Sequence, residues 1–296
     1  MNLTRLNKPK IELLDIILLI FLSLFGFLIV FPFYNVIVVS FTSQQEFMTR
    51  PLILFPNEPT LEAYRVLFRS GEILIGYRTT LLFLAVGLPV NLFLTTSLAY
   101  GLSRSHLPGK KVIISLVIFT MLFNGGMIPL YLVMLSLGLT NTIWSVVFAY
   151  GVNTFYFIIM RSYFLTLPDS LVESARLDGA GEWRILWSII LPLSKPIIAT
   201  MTLFYAVDRW NEWFNAMIFI RRGDMTPLQL VLRSIIIDSQ VLANITAAGG
   251  AHIMDRSFST GLQMAAVIVT MLPVMCVFPF LQKYFVKGVM IGAIKA

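Results

Sequence analysis

VIISLVIFTMLFNGGMIPLYLVMLSLGLTNTIWSVVFAYGVNTFYFIIM, residues 112–160, contains no Asp, Glu, Lys or Arg. About 20 apolar residues in a helix cross the hydrocarbon of a bilayer, so this run is too long for one crossing. The polar, helix-breaking Gly138-Leu139-Thr140-Asn141 divides it into two spans, 112–136 and 141–160. Asn124-Gly125-Gly126 and Pro129 fall in the middle of the first. They predict a break or kink, which a membrane helix tolerates where its backbone lines a cavity or packs on protein.

Working outward, four further apolar runs have membrane length: 13–39, 79–103, 196–220 and 257–282. The composition agrees. Hydrophobic residues make up 57% of the 296 and charged residues only 12%. A soluble chain with that balance could not cover its surface with polar groups, and lipid takes the excess. The expected fold is all-α and integral to the membrane, with six spans in one domain. Arg5, Lys8 and Lys10 precede the first run, as in a signal peptide. The uncharged stretch from Ile16 to Gln45 is too long for that, and no small-residue cleavage site follows it, so it reads as a retained first span.

The net charge of +7 comes from Lys and Arg beside apolar runs and forms no stripe with interleaved aromatics, which excludes nucleic acid. Arg104, Lys110 and Lys111 occupy one short loop, and Lys283, Lys287 and Lys295 the end of the chain. With six spans these fall on one side together with both termini, and the positive-inside bias makes that side cytoplasmic. The scheme has an N-terminal segment 1–12 inside, loops 40–78 and 221–256 outside, an inner insert 161–195 and an inner tail 284–296. The lone Cys276, and the distant His106 and His252, offer no disulfide and no metal site. No phosphate-cradling G-x-x-x-x-G-K-[ST] loop is present. A membrane enzyme would need a nucleophile with its base, or paired carboxylates, and only Asp208 and Glu212 come close.

The insert 161–195 is the longest charged stretch on the inner side. Pro168 stops what precedes, Ser170 and Glu173 fit a capping box with Asp169 as a rival cap, and Gly179 suits the residue just past a helix end. A second helix starts near Glu182 and meets Pro192. Leu171, Ala175 and Ala180 or Gly181 leave a small-sided surface among charges. Two readings stand: a helix docking into a groove of another protein, or an amphipathic helix lying at the interface.

The order of residues here resembles the coupling motif of permease subunits of binding-protein-dependent ABC importers, E-A-A, three residues, G, nine residues, I-x-L-P. Glu173, Ala175, Gly179, Ile189, Leu191 and Pro192 match by offset, Ser174 stands where a second small residue is usual, and Asp178 and Ala180 flank the glycine. The stretches 124–131, 210–215 and 284–293 are similar to the carbohydrate-uptake branch, near the smaller permease of the maltose system and permeases for pectin fragments or alginate. The resemblance implies a bacterial inner-membrane, multi-pass permease of the type I importer fold. It implies a second homologous permease, a separate ATPase dimer holding ATP and Mg, an extracytoplasmic solute-binding protein and an oligosaccharide cargo, with no cofactor on this chain. Glu173 would touch the ATPase and Gly179 would let the chain turn. The tail at Lys287 and Gly288 would approach the ATPase; as residues alone it reads equally as a basic end beside headgroups. An ion-gradient carrier, the rival function, would need paired repeats or two matching broken helices, and none pair in the sequence.

For a solute path the candidates are Asp208, Arg209, Trp210, Asn211, Glu212 and Trp213 in the fifth span, with Asn124 and Asn153. Charges at membrane depth are costly and face an interior or a wet path. Arg209 and Glu212, three apart, can pair on one face, while indoles and amides together suit a sugar. The alternative is that the 208–213 group sits at the outer interface, where Trp is common, and that Asn153 bridges helices.

Overall fold

The computed structural model describes residues 13–50, 52–247 and 259–293, with side chains of 239–247, 259 and 280–293 left aside. Segment 1–12 and Lys295 lie outside the described residues. So do the side chains of Lys287 and Gly288. All described regular structure is helical. The chain divides into two compact units, residues 1–69 with 235–269, and 70–234 with 270–296.

In the first unit, α1 (Leu13–Ser40) realises the first expected span. It is apolar on every side, and only Val38, Val39 and Ser40 are buried. A helix that is hydrophobic all round and uncovered needs lipid as its solvent. Two short helices follow, α2 (Gln44–Thr49) and α3 (Glu62–Arg69), inside what the sequence reading treats as loop. Ser43 caps α2 by accepting from the Glu46 backbone N–H. The Ser40 and Tyr64 hydroxyls meet at 2.8 Å, tying the end of α1 to α3.

In the second unit, α4 (Glu72–Ser103) is the central element. It begins seven residues before the expected boundary at 79, because Glu72 and Arg78 end an apolar run without ending a helix. Its polarity is inverted relative to a soluble helix. Thr80, Asn91 and Thr95 are fully buried, whereas Leu81, Leu82 and Phe93 are exposed. Small and polar residues inward with Leu and Phe outward is the pattern of a helix packed on protein on one side and lipid on the other. Lys110 closes its C-terminus, its Nζ donating to the carbonyls of Ser103 and Arg104.

The remaining expected spans are broken helices. α5 (Lys110–Leu122) and α6 (Met127–Ser136) are bent by 119° at Asn124-Gly125-Gly126. Residues 112–136 therefore form no straight crossing. Gly126, at φ 90°, takes a backbone shape that L side chains rarely adopt. α7 (Ile143–Ala149) and α8 (Thr154–Phe164) are bent by 59°. After α9 (Asp169–Leu177), a rod of α10 (Glu182–Ile185), a π-type turn over Leu186–Ile190 and α11 (Leu191–Leu193) bends by 88° into α12 (Lys195–Trp210).

The expected fifth span 196–220 is corrected. α12 stops at Trp210, and α13 (Phe214–Phe219) resumes after a turn. Sixteen helical residues reach about 24 Å, short of a ~30 Å hydrocarbon core. The expected outer loop 221–256 contains α14 (Leu228–Ala247), and α15 (Ser259–Ala293) runs on into the expected tail 284–296. Among the described residues, three helices have membrane length and apolarity alone, and three bent pairs pass the same test as pairs.

Candidate functional site: an exposed insert and a buried cationic hub

The insert is shaped by its own packing. α9 starts at Asp169 with Pro168 in the cap position and no side-chain cap, which corrects the capping box. Ser170 lies inside the first turn, where its hydroxyl cannot serve as cap. Asp169 in the first turn and Arg176 in the last complement the helix dipole. Gly179, at φ 79°, follows the cap. The Ala180 N–H donates to the Ala175 carbonyl at 2.9 Å and the Gly179 N–H to the Arg176 carbonyl at 3.0 Å, which is a Schellman closure.

Val172 and Ala175, three apart, are buried against the chain's own core with Phe164, Ile185 and Leu186. Ala175 is thus not part of an outward small-sided surface, as the sequence reading had it. The outward face of α9 is Leu171, Glu173, Ser174, Leu177 and Asp178, and Leu177 is 89% exposed. Gly179 is exposed and Ala180 half-buried. Ile189 and Leu191 are half-buried, and Pro192 is exposed beyond a π-type turn that has already left the α pattern a proline would break. The 88° bend falls at Ser194, which is fully buried.

Glu182 joins the insert to α4. Its Oε2 accepts from the Tyr100 hydroxyl at 2.6 Å and its Oε1 from Arg176 Nη2 at 2.7 Å. Burial pushes the Glu182 carboxyl up, but the Tyr100 hydroxyl and the Arg176 and Arg104 guanidinium groups outweigh it and hold it below the usual carboxylate value.

The second cluster gathers where two helices break. Arg209, 4% exposed, donates from Nε to Asn91 Oδ1 at 3.0 Å, from Nη1 to the Val146 carbonyl at 3.0 Å and from Nη2 to the Val147 carbonyl at 3.4 Å. The last carbonyls of a helix lack intrahelical donors; Arg209 supplies them for α7. Asn91 Nδ2 donates to the Gly151 carbonyl at 2.8 Å. The Asn153 backbone N–H donates to the Tyr205 hydroxyl at 3.1 Å. Glu212 balances the cation at 3.5 Å and accepts from the Asn215 backbone and side-chain N–H groups. A Cβ on Gly87 would stand 3.2 Å from the Arg209 side chain, so the glycine is what lets the guanidinium in.

The predicted path residues divide accordingly. Arg209, Glu212 and Trp210 are internal: Trp210 is 9% exposed, edge-on to Tyr77, with its buried Nε1 unpartnered. Trp213 lies under the Arg233 guanidinium at 4.6 Å. Asn153 is the N-cap of α8, accepting from the Phe155 and Tyr156 N–H groups, and Asn124 accepts from the Gly126 N–H within the α5–α6 break. Asp208 and Asn211 are exposed, with the Tyr156 hydroxyl in hydrogen-bonding reach of Asp208. Missed by sequence reading were Asn91, Gly87 and Tyr205; Gly87 and Asn91 stand four apart in a row of small and polar positions on α4, while Tyr205 on α12 carried no such signal.

Among the described residues, helices of membrane length and broken helix pairs stand together with a short exposed helix, α9, between two of the pairs. The chain belongs to the family of binding-protein-dependent transport system inner membrane components, which matches residues 4–291. It is 40% identical to protein LplC of Bacillus subtilis over 98% of this chain and 97% of that one. It is 38% identical to the polygalacturonan/rhamnogalacturonan transport system permease protein YtcP of Bacillus subtilis, over 97% and 99%. A solved bacterial ABC transporter involved in import of the acidic polysaccharide alginate superposes with TM-score 0.83 and 29% identity, covering 95% of this chain and 100% of that one. The ion-gradient alternative gains no support from these likenesses.

Proposed function

We propose that this chain is one permease subunit of an ATP-driven oligosaccharide importer in the bacterial cytoplasmic membrane. It would cross six times with both termini inside, and the insert 161–195 would lie on the inner side between the fourth and fifth crossings. A second homologous permease completes the channel, an extracytoplasmic binding protein delivers the sugar, and an ATPase dimer with ATP and Mg drives it. The observation that carries this reading is the outward face of α9: Glu173, Ser174 and Leu177 exposed beside a glycine-closed turn, on a helix whose inner face is already held by Val172 and Ala175.

An 89% exposed leucine between two exposed carboxylates is a surface suited to a mixed apolar and basic groove on a partner. Asp178, Gly179 and Ala180 fix how the chain leaves that surface. Ile189, Leu191 and Pro192 carry it toward the bend into α12. On the solute path we assign Asp208, Asn211 and Tyr156, whose hydroxyl and carboxylate chemistry suits sugar hydroxyls. Arg209, Trp210 and Glu212 frame them. Lys287 and Gly288 remain assigned to the ATPase side through family resemblance.

Two measurements test the proposal. Co-purification of the ATPase should fall with Glu173→Ala and Gly179→Val while the permease remains in the membrane; unchanged association and unchanged uptake refute the coupling role. Titration of the purified binding protein from the same operon with oligogalacturonides, arabino-oligosaccharides and alginate oligomers should find a saccharide ligand. Binding of none of them, with an amino acid or peptide bound instead, refutes the cargo class.

A further inference from the structure

Glu182 lies outside the positions that carry the family resemblance, yet it is the only described acidic side chain that bonds two other elements of the insert region at once. One carboxylate oxygen takes the Tyr100 hydroxyl near the end of α4, 82 residues away in sequence. The other takes both Nε and Nη2 of Arg176 on α9, at 3.0 and 2.7 Å. Two ring contacts flank this joint. Trp183 stacks on Phe93 of α4 with centroids 6.1 Å apart and planes 3° from parallel, and the Arg104 guanidinium covers the Tyr100 ring at 4.7 Å. Around them a cavity of about 390 Å³ is lined by Ser97, Arg104, His106 and Leu186 among others. The joint is therefore the polar contact of Glu182 between α4 and the insert, beside the apolar contacts that put Ala99 and Leu102 in one core with Ile185 and Leu186.

We propose that Glu182 is a positioning residue for transport: it makes α9, the 182–193 rod and α4 move as one lever, so that a displacement at the outward face of α9 reaches the buried hub on α4. This rests on the coupling reading above. The argument is one of directions. Val172 and Ala175 hold α9 by apolar contact, which resists separation but not sliding. Two guanidinium N–H groups converging on one carboxylate oxygen, with a hydroxyl bond to the other oxygen of the same group, constrain orientation as well as distance. The Arg176 and Glu182 side chains are 34% and 51% exposed, so the pair adds little to folding stability. A group of small energetic worth and strong directional constraint is suited to transmitting motion.

The test uses the assembled transporter in lipid nanodiscs. Cys276 is the one cysteine in the chain, so a Cys276→Ser background accepts two spin labels, at Leu82→Cys on α4 and Ser188→Cys on the insert, both exposed positions. With Glu182 intact, the 82–188 distance is expected to be narrow and the same with and without ATP. With Glu182→Ala it is expected to broaden severalfold and to shift on ATP addition, at unchanged membrane abundance. Tyr100→Phe and Arg176→Gln each cut one arm and should loosen it. Combining either with Glu182→Ala should add nothing, because the arms act through one group. ATP hydrolysed per solute imported should rise severalfold in all three single variants, with Glu182→Gln between them and wild type.

A distance in Glu182→Ala identical to wild type, a wild-type distance that changes with ATP, or additive Tyr100 and Arg176 effects would each overturn the proposal. Glu173→Ala in the same preparations separates the two levels. If it leaves ATPase association intact, the coupling reading fails. If it abolishes association while Glu182→Ala leaves the label distance unchanged, the joint alone fails.

Discussion

The outward face of α9 and the hub around Arg209 are both charged, and they differ in how their charges are used. On α9, Glu173 and Asp178 are exposed, beside an apolar Leu177 that no described residue covers. Around Arg209, the Nε and both Nη nitrogens meet an oxygen, and the opposing carboxylate of Glu212 is spent on Asn215 as well. A buried, satisfied cation holds a fold together; a solvated acidic face with a protruding leucine is left for something else to hold. Charge in a membrane protein therefore marks function only after its partners have been counted.

Four perturbations sharpen the comparison. The largest loss of stability is expected at Arg209. Arg209→Ala leaves the Val146 and Val147 carbonyls, Asn91 Oδ1 and Glu212 without their donor, and breaking a buried pair this way costs about 3–5 kcal/mol. Thermal unfolding of the detergent-purified subunit should register it as a marked drop in midpoint. Lysine should not rescue, because one ammonium cannot span three diverging acceptors.

Gly87→Leu comes next. It forces a side chain into the space of the Arg209 stem, and overpacking of this kind costs about 1–3 kcal/mol, read by the same assay. Gly179→Ala follows, since a Cβ in the left-handed region costs about 1–2 kcal/mol. Open space around Gly179 confines that cost to local backbone strain. The expected result is a small midpoint shift with a large loss of ATP-driven uptake. Equal losses of stability at Gly179 and Arg209 would erase the distinction between the two regions.

The smallest effect is that of acid on the insert. The folded-state value of Glu182 is lowered, so its contribution is fully present above its unfolded value near 4.3 and is lost as pH falls through the folded one. A cross-link between cysteines placed on α4 and the insert should therefore keep a constant yield from pH 8 down to about 5, and change only below about pH 4.

Much of this was legible in the residues, for stated reasons. The span 13–39 was legible as α1 because its apolar run is long and its one charged residue, Asp15, falls in the first turn, where a carboxylate suits the helix dipole. The Asn124-Gly125-Gly126 break was visible because glycine is what a φ of 90° requires. The end of α9 at Gly179 was visible in the same way. The fifth span was misread because its break at 211–213 has no glycine or proline; Asn, Glu and Trp turn there because Glu212 folds back onto Arg209 and Asn215. α14 was not legible as a long apolar run because Arg233 and Asp238 divide its apolar residues. The partners of Arg209 come from α4 and α7, about 60 to 120 residues away, and local pattern carries no record of such distances. Arg209 and Glu212 do pair as their spacing suggested, at 3.5 Å and largely buried.

The central claim is that the exposed face of α9 is the handle by which an outside motor moves this bundle, and a single substitution tests it most directly. Glu173→Ala, a solvated position where stability should change by no more than about 0.5 kcal/mol, is to be assembled with the ATPase and the binding protein in proteoliposomes. The account predicts normal abundance and an unshifted unfolding midpoint, with ATP-dependent uptake lost. Wild-type uptake and ATPase association in that variant would contradict it.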